Sequence, residues 1–168
     1  MLIDTIMIKK IIITGGLGYI GTELCKIYSG YSWHHKITVI DNRFVSERVN
    51  QLRNWNMEFI HGDILDKNLV NKHFKDVDIV HHLAGITDVP RTKSESSNEK
   101  NEKIKLVAEK GTQNILDAIN DTCKIIFPST HVVYEGINQV KKDILEDEET
   151  KPVLSYSSSK DINENQLK

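Results

Sequence analysis

The run KKIIITGG (9–16) passes straight into TGGLGYIG (14–21), so a short apolar segment ends in glycines just where a helical pattern over 18–30 begins. An apolar run that stops at glycines is buried as a strand. The spacing of Gly15, Gly18 and Gly21, three apart, then fixes what can follow. Gly15 lets the chain turn tightly, Gly18 lets the backbone approach a pyrophosphate, and Gly21 lets the helix pack close to the strand. The helix N-terminus offers N–H groups and the positive end of its dipole to phosphates. A glycine-rich turn with no ligand is the bland alternative. The position, directly after a strand and opening a helix, speaks against it.

The alternation continues. KITVIDN (36–42), NMEFIHGD (56–63), DVDIVHHLAG (76–85) and TCKIIFPST (122–130) read as strands, with helical patterns at 44–53, 66–74 and 104–119 between them. Ile104, Val107, Ala108, Gly111, Ile115, Ala118 and Ile119 share one helical stripe. Such a chain is α/β: a doubly wound parallel sheet with helices on both faces. Its 168 residues suit a single domain with a real core, residues 1–6 being a loose extension or a lengthening of the first strand. The polar stretch 88–103 is loop or exposed helix. The region 135–153 is acidic and irregular, and its run at 146–149 reads as a solvated loop rather than a cation site.

Charge excludes some functions. Lys and Arg total 22 against 24 Asp and Glu, a net charge of −2, which gives no electrostatic case for nucleic acid or an anionic membrane. No apolar run approaches the ~20 residues of a membrane span, and the first ten residues lack the pattern of a signal peptide. Cys25 and Cys123 stand in no metal-like spacing and read as reduced, buried thiols of a cytoplasmic chain. His34–His35 and His81–His82 are adjacent pairs; neighbours on a strand point to opposite faces, so no metal site is expected.

Two further features bear on chemistry. Asp41 ends the second strand, 20 residues after Gly21. A carboxylate there accepts from ribose hydroxyls and repels a 2′-phosphate, which favours NAD over NADP. Arg43 dissents, since an Arg nearby accommodates that phosphate. Near the end of the chain, Tyr156 and Lys160 in YSSSK stand four apart and share one helix face. Alone, the pair is as easily chance as chemistry.

TGGLGYIG, VIDN, GDILD, HHLAG, GTQNIL, FPSTHVVYEG and YSSSK follow the order and spacing of motifs in the extended short-chain dehydrogenases/reductases. The chain resembles most the NAD-dependent sugar-nucleotide epimerases and dehydratases of that family, from about residue 8 to 160. The resemblance implies a Rossmann-type fold with NAD as cofactor. It implies that Tyr19 and Ile20 lie over the pyrophosphate, that Asp41 and Asn42 hold the adenosine ribose, and that Asp63 and Ile64 flank the adenine. Leu83, Ala84, Gly85 and Ile86 would run beside the cofactor. Thr130 would hold the reacting oxygen, Tyr156 would act as acid/base, and Lys160 would hold the nicotinamide ribose while favouring the phenolate. A homodimer or higher homo-oligomer is implied too, with a nucleotide sugar as substrate.

Three departures from the family pattern stand out. His131 and Val132 occupy the positions where 4,6-dehydratases carry Asp-Glu, which argues against dehydration by that route. Ala108 replaces an Asn that supports the catalytic Lys, leaving Asn114 or Asn101 as nearby substitutes. Family members are about twice as long, so the C-terminal substrate domain is expected to be missing. Two classes of function follow from this: an oxidoreductase or epimerase, and a non-catalytic NAD-binding module or truncated relic.

Overall fold

The computed structural model of the chain describes residues 8–87, 97–137 and 143–168. The expectation for residues 1–6 and the 88–96 part of the polar stretch lie outside them. The chain divides into two compact units, one reaching to Ala84 and taking in Asn114–Pro128, the other made of Gly85–Gln113 and Ser129–Lys168.

The first unit holds the sheet. Its elements are β1 (Lys10–Thr14), α1 (Tyr19–Ser29), β2 (Lys36–Asp41), α2 (Ser46–Asn54), β3 (Glu58–His61), α3 (Lys67–His73), β4 (Ile79–His82) and β5 (Lys124–Ile126). All strand pairs are parallel, in the order β3-β2-β1-β4-β5. This is the doubly wound Rossmann arrangement read from the sequence. The chain builds outward from β1 on one side, returns, and builds outward on the other. The connections leaving β1 and β4 therefore diverge, which opens a crevice at the C-terminal ends of these strands.

Pleat alternation splits the apolar residues between the two faces. Ile11, Ile13, Ile37 and Val39 cluster with Leu17, Cys25, Val49 and Leu52 under α1 and α2. Ile12, Ile40 and Val80 are buried on the other side, as are Val70 and Phe74 of α3 and Ile115 of α5 (Thr112–Ala118). Lys67 and Asp117 tie α3 to α5 at 3.1 Å. Burial pushes the Cys25 thiol up to about 12, so it is inert. Cys123 is only half-buried, because it precedes the short edge strand β5.

The second unit contains α4 (Asn98–Leu106), a π-helical turn at Val107–Gly111, a 3₁₀ turn at His131–Tyr134 and α6 (Ser155–Leu167). The single helix expected at 104–119 begins earlier, at Asn98, where Ser97 Oγ accepts from Lys100 N–H at 3.2 Å and caps it. It then widens at 107–111. Two carbonyls of that turn also accept from α6: Asn163 Nδ2 donates to Ala108 O at 2.8 Å and Gln166 Nε2 to Glu109 O at 2.9 Å. The stripe residues are all buried or half-buried. The face of α6 that turns inward is polar: Ser157, Ser159 and Asn163 are its buried residues.

Candidate functional site

The glycine turn is held by its neighbours. Gly15 has φ +66°, and a Cβ there would lie 2.8 Å from Leu83 C and O and from Ala84 N. Only glycine fits both the backbone and the space. Its N–H donates to Ile40 O at 2.8 Å. Leu17, one of the most buried residues, is gripped at both ends of its own backbone: its N–H donates to Asp41 Oδ2 at 2.9 Å, and its carbonyl accepts from Arg48 Nη1. Gly18 precedes α1, and no side chain caps that helix. Its first turn carries no acid, and Tyr19 and Ile20 stand exposed. An uncapped helix start beside a locked glycine turn is an anion cradle.

Asp41 is buried at the end of β2 and joined to Arg43 by a salt bridge, Nε to Oδ1, of 3.1 Å. The hydrogen bond to Asp41 raises the Arg43 guanidinium above its ordinary value, against the effect of burial. Asn42 Nδ2 donates to Asp63 Oδ2 at 2.9 Å, and the Asn42 carbonyl lies 3.0 Å from His61 Nε2. Ile64 is buried, and Asn114 Nδ2 donates to its carbonyl at 2.9 Å. The Asn114 amide N–H groups thus hold the Ile64–Leu65 turn.

The exit of β4 is tied to β1. Leu83 N–H donates to Thr14 O at 3.2 Å, and Ala84 N–H to Thr14 Oγ1 at 3.1 Å. Thr14 Oγ1 also sits 3.0 Å from His82 Nδ1, within hydrogen-bonding distance. On the other face, Tyr28 Oη meets His81 Nε2 at 2.8 Å. Burial lowers the His81 pKa and raises that of Tyr28, so the pair stays neutral.

The structure therefore brings Gly15, Gly18, Gly21, Asp41, Arg43, Leu83 and Ala84 together at the strand ends of the first unit, with Asn42, Asp63 and Ile64 at the ends of β2 and β3. Arg48, Thr14 and His82 belong to the same framework and escaped the sequence reading. Arg48 is one of several polar residues on a mostly exposed helix, and nothing in its spacing marks it.

The second unit carries the remaining candidates. A Cβ on Gly85 would meet nothing within 4 Å, so that position has no steric need for glycine. Ile86 is half-buried. Thr130 is extended, and its Oγ1 accepts from Val132 N–H at 3.3 Å, opening the 3₁₀ turn. Tyr156 and Lys160 lie one turn apart on α6, both half-buried. Burial lowers the Lys160 pKa. The helix packs on α4, on the π-helical turn and on the 3₁₀ turn.

One carboxylate holds the start of α6. Glu135 Oε1 accepts from Val153 N–H at 2.8 Å, from Leu154 N–H at 2.7 Å and from Ser157 Oγ. Burial works to raise the Glu135 pKa, but these three bonds outweigh it and hold the group below its ordinary 4.5. The stability it contributes is therefore present above about pH 4.5 and is lost as the pH falls through the lower folded value. Glu135→Gln is expected to cost about 1 kcal/mol at neutral pH, a figure kept small by exposure. Urea unfolding of both forms at pH 7 and pH 3 checks it: the gap should narrow in acid, and a gap independent of pH would refute the role.

Residues 12–168 match the 3-beta hydroxysteroid dehydrogenase/isomerase family. The chain belongs to this family. Among individual members the resemblance is to nucleotide-sugar enzymes. The UDP-N-acetyl-alpha-D-glucosaminuronate decarboxylase of Bacillus cytotoxicus is 36% identical over 138 residues, which is 76% of this chain and 38% of that protein. The CDP-paratose 2-epimerase of Salmonella typhi is 34% identical over 144 residues, 79% of this chain and 40% of that one. The UDP-glucose 4-epimerase of Brucella ovis, solved in complex with NAD, superposes with a TM-score of 0.74 at 29% identity, over 95% of this chain and 46% of its own. The chain thus spans less than half the length of these three family members. Among the described residues no helix is long and apolar enough to cross a membrane, and no three metal-ligating side chains gather.

Proposed function

We propose that the chain is the NAD-binding portion of an enzyme that oxidises and re-reduces a hydroxyl of a nucleotide sugar. The observation that carries the reading is the glycine turn locked between Asp41, Arg48 and the β4 exit, beside the uncapped start of α1. That cradle fits a dinucleotide: N–H groups and a helix dipole for the diphosphate, Asp41 and Asn42 for the adenosine ribose, Asp63 and Ile64 for the adenine side. Family members that hold NAD or act on nucleotide sugars support it.

Bound NAD⁺ supplies the acceptor for the hydride of the carbinol carbon. In this reading Tyr156 takes the hydroxyl proton, and Lys160 lends positive charge to the phenolate and holds the nicotinamide ribose. Thr130 Oγ1 orients the reacting oxygen. A tyrosine titrates near ~10 when free, so such a base needs a cation close by. Contacts to the nucleotide of the substrate normally position the sugar.

A dinucleotide-binding module without turnover is the second reading, since the glycine cradle lies wholly within the first unit. Calorimetric titration with NAD⁺, followed by incubation with UDP-, GDP-, dTDP- and ADP-sugars and absorbance of NADH, separates the two. The enzyme reading expects NAD⁺ binding, slow NADH formation with one sugar class, and loss of that reduction by about 10²-fold or more in Tyr156→Phe with binding unchanged. Binding without reduction establishes the module. Absence of NAD⁺ binding refutes both.

A further inference from the structure

At the end of the sheet opposite the glycine turn, where β2 begins at Lys36 and β3 at Glu58, lies an open cavity of about 560 Å³. Ligand sites run to roughly 300–1,000 Å³, so it has room for more than a lone side chain. Ile37 and Met57 give it a buried, apolar lining. Trp33 borders it with 77% of its surface exposed. Lys36, at the start of β2, and Arg53, near the end of α2, bring positive charge to it, and neither is ion-paired among the described residues. The one acid among its described lining residues, Glu58, accepts from Thr38 Oγ1 at 3.1 Å. An exposed indole beside an apolar hollow and uncompensated positive charge has the composition of a protein-docking hot spot.

The second unit carries a surface of the opposite kind. Ile144 and Leu145 are 43% and 62% exposed, and Glu146, Asp147 and Glu149 follow them, exposed as well. The segment is held in shape: Glu148 N–H donates to Leu145 O at 3.2 Å, and Tyr134 Oη donates to the same carbonyl at 3.4 Å and to Glu146 O at 3.5 Å. A turn fixed in advance loses little freedom on binding. We propose that this acidic turn of one copy of the chain docks in the Trp33 cavity of a second copy. Ile144 and Leu145 meet the apolar lining and the indole, and Glu146 and Asp147 meet Lys36 and Arg53. Cavity and turn are different surfaces, so the contact is head-to-tail, and each copy keeps one of each for the next. The net charge of −2 leaves little overall repulsion between copies. The association does not draw on the dinucleotide.

Sedimentation velocity of the full chain, from micromolar to millimolar concentration, tests this. Wild type should associate at low salt with a Kd on the order of 10–100 μM, beyond the dimer as concentration rises. Raising the salt to about 0.5 M should weaken association at least about fivefold, because the charges screened are exposed. Arg53→Glu and Glu146→Lys, both at exposed positions, should each weaken it about tenfold or more. Mixed in equal amounts, the two variants should recover to within about threefold of wild type, since the intact cavity of Glu146→Lys then meets the intact turn of Arg53→Glu. A contact between like surfaces elsewhere on the chain predicts no effect of either substitution. A turn that folds back on the cavity of its own chain predicts a monomer at every concentration. Either result overturns the proposal, as does a mixture no tighter than the separate variants.

Discussion

Gly21→Ala is expected to lower the stability of the chain by about 3 kcal/mol, or roughly 6–12 °C in melting temperature for a chain of this size. A Cβ at Gly21 would stand 2.6 Å from Gly15 O, 2.6 Å from Gly16 Cα and 2.8 Å from Gly16 C. All three are backbone atoms of the glycine turn, so no side chain can swing aside. Either α1 retreats from the turn or the turn itself shifts, and Leu17, Cys25 and the β1–β2 core shift with it. Overpacking of this kind usually costs about 1–3 kcal/mol, and a clash with rigid backbone sits at the upper end. Dinucleotide binding should disappear as well, because the helix start and the turn form one cradle. Gly85→Ala is the control: nothing lies within 4 Å of its added carbon, and its melting curve should be unchanged. Thermal unfolding followed by circular dichroism reads both, and equal melting points would contradict the close approach of α1 to the turn.

Asn163→Asp should be as damaging in the second unit, again by about 3 kcal/mol at neutral pH. Asn163 is buried, and its amide nitrogen serves Ala108 O at 2.8 Å, Thr112 Oγ1 at 2.7 Å and Gln166 Oε1 at 3.2 Å. The substitution replaces that donor with a charged acceptor facing a carbonyl. Shape is preserved, so the loss reports hydrogen-bond chemistry rather than a cavity. A protonated carboxyl regains one donor, so the deficit should shrink as the pH falls below about 5. A chemical denaturation series across pH measures this directly, and a loss that stays constant from pH 7 to pH 4 would point to packing instead.

These two positions show how unevenly the chain could be read. The sheet was legible, because KIIIT, KITVID and IVHH are short apolar runs and the glycines punctuate them. The glycine turn and Asp41 were legible for the same reason: their roles depend on backbone shape and on position along the chain. Arg48 was not, since a lone arginine on an exposed helix acts only through the fold that delivers it to the Leu17 carbonyl. Glu135 was lost in an acidic stretch that looked like plain solvated loop, although one of its oxygens organises the start of α6. The π-helical turn was hidden too. Two of its carbonyls accept from Asn163 and Gln166, more than fifty residues downstream. Hydrophobic periodicity cannot see α6 pack, because the inward residues there are Ser157, Ser159 and Asn163, and their partners are a carboxylate, a hydroxyl and carbonyls.

The position of β1 in the middle of the sheet has a consequence for how the chain reaches this state. On one side β1 pairs with β2, beginning at Lys10 with Lys36, across a single helix; on the other it pairs with β4, beginning at Ile11 with Ile79, only after β2, β3 and their helices have been made. Loop closure grows costlier with separation, and pairings distant in sequence form slowly. During synthesis β1, β2 and β3 can therefore assemble first, while the far edge of β1 waits with Ile11, Ile12 and Ile13 unpaired. That edge is an apolar template, open to any other extended chain until Ile79–His82 arrives. Docking of β4 is thus the expected slow step of folding, and the interval before it is when the nascent chain is expected to be most prone to aggregate.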